Sequence, residues 1–198
     1  MIDAAVAALL AGEPVILPTD TVYGLCAAPE LAPCERMYRL KGREPGKPTA
    51  LLAAELDVLL ECVPELRGRA GTIARALLPG PYTLILPNPA RRYSWLTGRN
   101  PYAIGVRVPE LPEDAVHVLG PVGAVAATSA NAPGGPDPRR IEEIPAEILE
   151  LAGAVVDAGE LPGTPSTVLD FTHAEPRVVR EGAAPSAEAL ARVEAALA

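Results

Sequence analysis

Aromatic side chains are scarce in this 198-residue chain: one Trp, one Phe and five Tyr, or 4% of the sequence. Proteins that hold single-stranded nucleic acid stack bases on such rings, so a dedicated binder of that kind is disfavoured. Positive charge is also in the minority. Seventeen Lys and Arg against 25 Asp and Glu leave a formal net charge of −8, which argues against nonspecific adhesion to DNA or anionic lipid. Any polyanion must therefore be met by a local basic patch. The three cysteines, Cys26, Cys34 and Cys62, are an odd set without a CxxC pair, which fits neither a disulfide framework nor a zinc site. They read as buried thiols. His117 and His173 are isolated and there is no GxSxG, so a hydrolase triad is disfavoured and both read as ordinary surface histidines. Neither a GxxxxGK loop nor a GxGxxG occurs, so a nucleotide site would have to be built outside those fingerprints. No run approaches the ~20 apolar residues that cross a bilayer. Met1–Gly12 carries Asp3 and no basic leader, so no export signal and a cytoplasmic location are expected.

What is present is material for a core. Hydrophobic residues make up 49% of the chain, and the 23 Pro and 17 Gly are scattered as punctuation, which predicts one domain over 1–198. Asp3 reads as the N-cap of a helix ending at Gly12, followed by a buried strand at Val15–Leu17. Helices are predicted at Pro33–Leu40, Leu66–Leu78, Ile141–Leu151 and Ala187–Leu197. Strands are predicted at Thr49–Ala53, Tyr82–Leu86, Tyr102–Val108, Val122–Ala127, Ala154–Asp157, Ser166–Asp170 and Arg177–Arg180, the last two as a hairpin. Strands separated by single helices define an α/β class with a mixed sheet.

Polar groups interrupt the apolar pattern where such strands end. Pro18-Thr19-Asp20-Thr21 follows the first strand, at a position where open α/β sheets bind ligands; a turn capping the next element is the alternative. Lys41-Gly42-Arg43-Glu44-Pro45-Gly46-Lys47-Pro48 gathers three cations, including both lysines of the chain. It reads either as a clamp for phosphate or carboxylate or as a solvated loop. Thr128-Ser129-Ala130-Asn131 offers hydroxyl and amide groups to a phosphate or purine, or simply caps a turn. Arg107 and Arg180 lie in strand-like segments and read either as edge charges or as fixed guanidinium anchors. Ser166 and Thr167 add hydroxyls at a strand start. Arg139 and Arg140, followed by Glu142 and Glu143, read as a solvated helix start.

Taken in order, Pro-Thr-Asp-Thr-Val-Tyr-Gly-Leu from Pro18, Lys-Gly-Arg at 41–43 with Lys47-Pro48, Pro-Gly-Pro at 79–81, Val-Arg-Val-Pro at 106–109, Ser-Ala-Asn at 129–131, Pro-Ser-Thr-Val at 165–168 and Arg180-x-Gly182 are similar to the YrdC/TsaC family. The resemblance implies a twisted mixed α/β sheet flanked by helices around a large, concave, electropositive cavity. It implies synthesis of threonylcarbamoyl-AMP and pyrophosphate from ATP, L-threonine and bicarbonate, for modification of tRNA beside the anticodon. Carried over residue by residue, Lys41 and Arg43 would be catalytic, while Arg43, Lys47, Ser129, Asn131 and Arg180 would bind ATP. Thr19, Thr21, Arg107 and Ser166 would bind threonine. Mg²⁺ would arrive on the ATP phosphates, with no metal site of the protein's own, and no covalent enzyme intermediate is implied. The chain matches the short, single-domain form. Implied partners are tRNA or double-stranded RNA and a downstream threonylcarbamoyl transferase, with no membrane. The alternatives are an RNA-binding module of the same fold, or a YciO-like or carbamoyl-adenylating relative with another substrate. Glu44, Leu78 and Tyr82 depart from the family pattern, and Glu44 adds a negative charge beside the clamp.

Overall fold

The computed structural model describes residues 1–44 and 46–198; Pro45, inside the cationic loop, lies outside them. In chain order the elements are α1 (Ile2–Leu10), β1 (Val15–Leu17), β2 (Gly24–Ala27), α2 (Leu31–Lys41), β3 (Ala50–Ala53), α3 (Leu56–Cys62), α4 (Gly68–Leu77), β4 (Tyr82–Pro87) and β5 (Ala103–Arg107). They continue with α5 (Glu113–Val122), β6 (Ala124–Ser129), a 3₁₀ turn at Ile141–Glu143, α6 (Ala146–Leu151), β7 (Ala154–Val155), β8 (Thr167–Asp170), β9 (Arg177–Arg180) and α7 (Ser186–Leu197). The nine strands among the described residues form one sheet in the order β7-β1-β2-β6-β3-β5-β4-β8-β9. It is mixed: β1–β7, β3–β5 and β4–β8 pair parallel, and the other neighbours antiparallel.

The hairpin expected near the end is β8–β9. Other expectations need correction. Met1, not Asp3, occupies the N-cap of α1; Asp3 lies in the first turn, where its charge suits the positive helix terminus. Three elements were not read from the sequence. β2, Gly-Leu-Cys-Ala, lacks the β-branched residues that mark a strand, yet it is held between β1 and β6. The seven residues of α3 offer too short a period to detect. α5 carries Pro121 in its last turn, and Val122, read as a strand start, closes that helix. The single helix expected over Ile141–Leu151 is broken at Pro145, the N-cap of α6, because the residue before proline is pushed out of the helical region.

Alternation along the strands sends side chains to two faces. One face receives Ile16, Leu25, Leu51, Leu84, Val106 and Leu169, in a core that α2, α3, α4, α6 and α7 complete. The other receives Val15, Leu17, Cys26, Leu52 and Val125, covered by α1 and α5. Those two helices cover only the β7 end of that face. Beyond β3 it has no helical cover: Thr83 and Ile85 of β4, Ala103, Gly105 and Arg107 of β5, and Val168 and Asp170 of β8 line a cavity instead. No helix among the described residues is long and apolar enough to cross a membrane.

Candidate functional site

The uncovered half of the sheet floors a cavity of about 550 Å³, within the range that takes a nucleotide-sized ligand. A smaller recess of about 190 Å³ adjoins it, sharing Arg43 and Ser129. The floor is built of small side chains, Gly24, Ala50, Gly105 and Ala127, and the walls carry hydroxyls and guanidinium groups.

Within the cationic segment, Lys41 is buried and Arg43 half-buried, while Glu44 and Lys47 are exposed. Lys41 is the last residue of α2, which Gly42 terminates in the left-handed region at φ 63°, and Lys41 is only 6% exposed. Its Nζ donates to the Ser129 carbonyl and to Asn131 Oδ1, the latter at 2.7 Å. Burial, with the neighbouring Arg43 acting in the same direction and Asp137 opposing, brings its pKa down to about 8. Arg43 donates to Thr128 Oγ1 at 3.3 Å and to the Pro48 carbonyl, while its buried Nε has no partner among the described residues. Burial lowers its pKa as well. Lys47 stands apart: it is exposed, pairs with Glu44 at 3.0 Å, and lines the recess but not the large cavity. Glu44 thus turns to solvent, and Leu78 and Tyr82 are buried in the core.

The end of β6 supplies the opposing group. Ser129 Oγ donates to Asn131 Oδ1 at 2.7 Å, and Asn131 Nδ2 donates to the Gly135 carbonyl at 2.7 Å. Lys41, Ser129 and Asn131 are therefore one hydrogen-bonded cluster, drawn from segments some ninety residues apart.

At the far wall, Ser166 and Arg180 meet. Arg180 Nη2 donates to the Ser166 carbonyl at 2.8 Å and to Ser166 Oγ at 3.2 Å, and Ser166 Oγ lies 2.8 Å from Thr83 Oγ1. A register shift makes this possible. Asp170 pairs with Arg177 and Leu169 with Val178, but Val168 pairs with Arg180, so Val179 is an extra residue. Such a bulge re-aims the side chain beyond it. In regular register Arg180 would oppose Thr167 and point into the core; the bulge places it opposite Val168, on the cavity side. Gly182 follows immediately, and a Cβ there would stand 2.3 Å from the Pro165 carbonyl oxygen. Gly182→Ala is expected to cost about 1–3 kcal/mol in stability, measured by denaturant unfolding; an unchanged midpoint would mean that the close approach is not needed.

Thr19 lines the cavity and also caps its own turn, accepting from the Thr21 and Val22 amides and donating to the Val22 carbonyl. Thr21 differs from expectation. It is fully buried, and its hydroxyl accepts from Arg107 Nη2 at 2.6 Å, so it lies behind Arg107 and does not line the cavity. Arg107 reaches the cavity from the end of β5, its Nη2 also donating to Asp20.

Other lining residues carried no decisive signal. Thr83 and Asp170 could have been found from strand alternation, since their neighbours Leu84 and Leu169 are core. Asp137 sits in an irregular loop with no periodicity. His173, read as a surface histidine, lines the cavity beside Asp170, 3.6 Å away. Cys26 and Cys34 are buried, which raises their pKa values to about 12; Cys62 is half-buried. Arg139 and Arg140 both pair with Glu160.

Fold and site together define an α/β small-molecule-binding protein, with a cavity of hydroxyl and guanidinium groups laid across one sheet face. The chain matches the family model for Sua5, YciO and YrdC proteins, described as "Telomere recombination", over residues 7–182, and it belongs to that family. It is 37% identical over 168 residues to the threonylcarbamoyl-AMP synthase of Stenotrophomonas maltophilia, covering 82% of this chain and 88% of that one. Among solved structures it is similar to Pyrococcus abyssi Sua5 complexed with L-threonine, with a TM-score of 0.86 and 31% identity. That match covers 97% of this chain and 56% of the other, so this chain spans just over half the length of the archaeal protein. Escherichia coli YciO matches with a TM-score of 0.81 and 28% identity, covering 93% of this chain and 90% of that one.

Proposed function

We propose that the protein is a threonylcarbamoyl-AMP synthase, converting ATP, L-threonine and bicarbonate into threonylcarbamoyl-AMP and pyrophosphate. The observation that carries this reading is the convergence of Lys41, Arg43, Ser129, Arg107, Ser166 and Arg180, from five separate segments, on one cavity and its adjoining recess. The similarity to a threonylcarbamoyl-AMP synthase along most of both chains supports it.

The reaction joins two anions. The threonine amine takes up bicarbonate as a carbamate with loss of water; a carbamate oxygen then attacks the α-phosphorus. The bond from that phosphorus to the bridging oxygen breaks, and pyrophosphate leaves with the electron pair. Two unit charges 4 Å apart repel by about 4 kcal/mol at an effective dielectric of 20, so cations fixed beforehand are a physical requirement. Lys41 and Arg43 make the phosphate end of the cavity electropositive despite the acidic chain, with Lys47 at the rim of the recess. Both inner groups are already held by protein oxygens, so they need little reorganisation when charge develops. Ser129, Asn131 and Arg180 complete the nucleotide side. Arg107 takes the amino-acid carboxylate, with Thr19 and Ser166 beside it. Magnesium, when bound, shields the phosphate charge. The cavity offers it only the separate carboxylates of Asp137 and Asp170, a donor set that suits an ion held mainly on phosphate oxygens. The product, a mixed anhydride of a carbamic acid and AMP, calls for a transferase that passes the threonylcarbamoyl group to adenosine in tRNA.

Lys41 sets a pH dependence. Its folded pKa is about 8 against an ordinary 10.5, so its cationic form is lost as pH rises through 8. Affinity for a non-hydrolysable ATP analogue, measured by calorimetry, is expected to be flat below pH 7 and to fall above about 8. Lys41→Arg should remove that fall, because guanidinium stays charged; a fall of the same size in the variant would show that another group is responsible. The decisive test of function is pyrophosphate release from ATP with bicarbonate and magnesium. It should require threonine. Turnover with other amines but not threonine would indicate a YciO-like or carbamoyl-adenylating substrate, and salt-sensitive RNA binding without turnover would indicate an RNA-binding module.

A further inference from the structure

The Arg107 guanidinium does not stand free in the cavity wall. One nitrogen, Nη2, donates both to Asp20 and to the Thr21 hydroxyl, and the ion pair is almost wholly enclosed, with 11% and 10% of the two side chains exposed. Asp20 is itself fixed: its other oxygen accepts the Glu110 amide at 3.3 Å. Thr21 is tied in turn to Thr19, their hydroxyls 3.0 Å apart. The Arg107 Nε is buried without a partner among the described residues. A long, flexible side chain is thus held along one edge by a carboxylate and a hydroxyl from the turn after β1, while it faces the cavity from β5 on the same wall.

We infer that Asp20 is a positioning residue for substrate selection: it aims Arg107 so that the cavity accepts amines bearing an α-carboxylate and rejects those that lack one. The inference rests on the proposed role of Arg107 as the carboxylate anchor. A buried arginine without its carboxylate is an uncompensated charge that repacks or draws in water, and a displacement of about 1 Å in a positioning group is enough to lose two orders of magnitude in rate. Asp20 acts through Arg107: its carboxylate oxygens accept from Arg107 and from the Glu110 amide. Arg180 adds like charge near Arg107, so an acidic partner is what permits the two guanidinium groups to share one wall.

The test is a comparison of L-threonine with L-threoninamide, which keeps the side chain and amine but replaces the carboxylate with a neutral amide. Wild-type protein should turn over threonine at least 100-fold better by kcat/KM. Asp20→Asn should raise the KM for threonine at least tenfold, leave the KM for ATP within about twofold, and compress the threonine preference to below tenfold. Asp20→Glu keeps the charge but shifts the guanidinium by one methylene, and should compress the preference in the same direction in a protein that still folds. The Asp20→Asn penalty should largely vanish in an Arg107→Gln background, since contacting residues that act as one unit are not additive. An unchanged threonine preference in a folded Asp20 variant overturns the inference, as does an equal penalty with and without Arg107. So does failure of both variants to fold, which would make Asp20 a residue of the fold alone. Absence of threonine-dependent pyrophosphate release in the wild type would instead remove the function on which it rests.

Discussion

Lys41→Met is expected to abolish threonine-dependent pyrophosphate release, lowering kcat/KM for ATP by about 10²–10³-fold, the usual cost of removing one preorganised donor from a developing charge. Because Lys41 is buried against Ser129 and Asn131, alanine would confuse loss of charge with loss of packing. Methionine keeps the length of the stem and removes only the ammonium. Enclosing that ammonium is itself costly, as its lowered pKa reflects, and its removal offsets in part the loss of a donor to the Ser129 carbonyl and Asn131 Oδ1. The thermal midpoint should therefore stay within a few degrees while turnover disappears. A variant that remains folded and active would show that the phosphates do not meet this group, and the assignment of the recess would fail with it.

Gly105→Val is expected to be equally damaging by a different route. Gly105 lies on the cavity floor, and a Cβ there would meet Ala50 and Thr83 at 3.7–4.0 Å, ordinary contact distances. A β-branched residue suits a strand, so the fold should be unaffected. The added methyl groups project into the cavity, where they displace substrate. Binding of both threonine and nucleotide should weaken by at least 100-fold by calorimetry at an unchanged unfolding midpoint. The contrast with Gly182, where the same addition meets backbone at 2.3 Å, separates a cavity glycine from a packing glycine. Full activity in Gly105→Val would mean that the substrates bind elsewhere.

The legible part of this fold was the part with strong local patterning. Val15–Leu17, Tyr82–Leu86 and the Asp170–Arg177 hairpin follow from apolar alternation and short gaps, and they lie where expected. β2 was hidden because its four residues are small and carry no preference of their own; it is a strand because β1 and β6 flank it. The same division runs through the site. Lys41, Arg43, Ser129, Asn131, Arg107, Ser166 and Arg180 were named from sequence, and all of them line the cavity or its recess. Thr21 lies behind Arg107 and Lys47 at the recess, because strand and turn residues carry no sign of which neighbour will stand in front of them.

Sequence alone determined the chemistry on offer: an acidic chain whose two lysines, Lys41 and Lys47, stand one on each side of Arg43, with no GxSxG motif and with polar residues at strand ends. Tertiary structure decided which of those groups meet, since contacts between segments some ninety residues apart depend on sheet order and not on local preference. It decided that α1 and α5 leave half of one sheet face open. It also decided that one extra residue in β9 turns Arg180 from the core toward that opening, because strand side chains alternate and a single insertion reverses their facing.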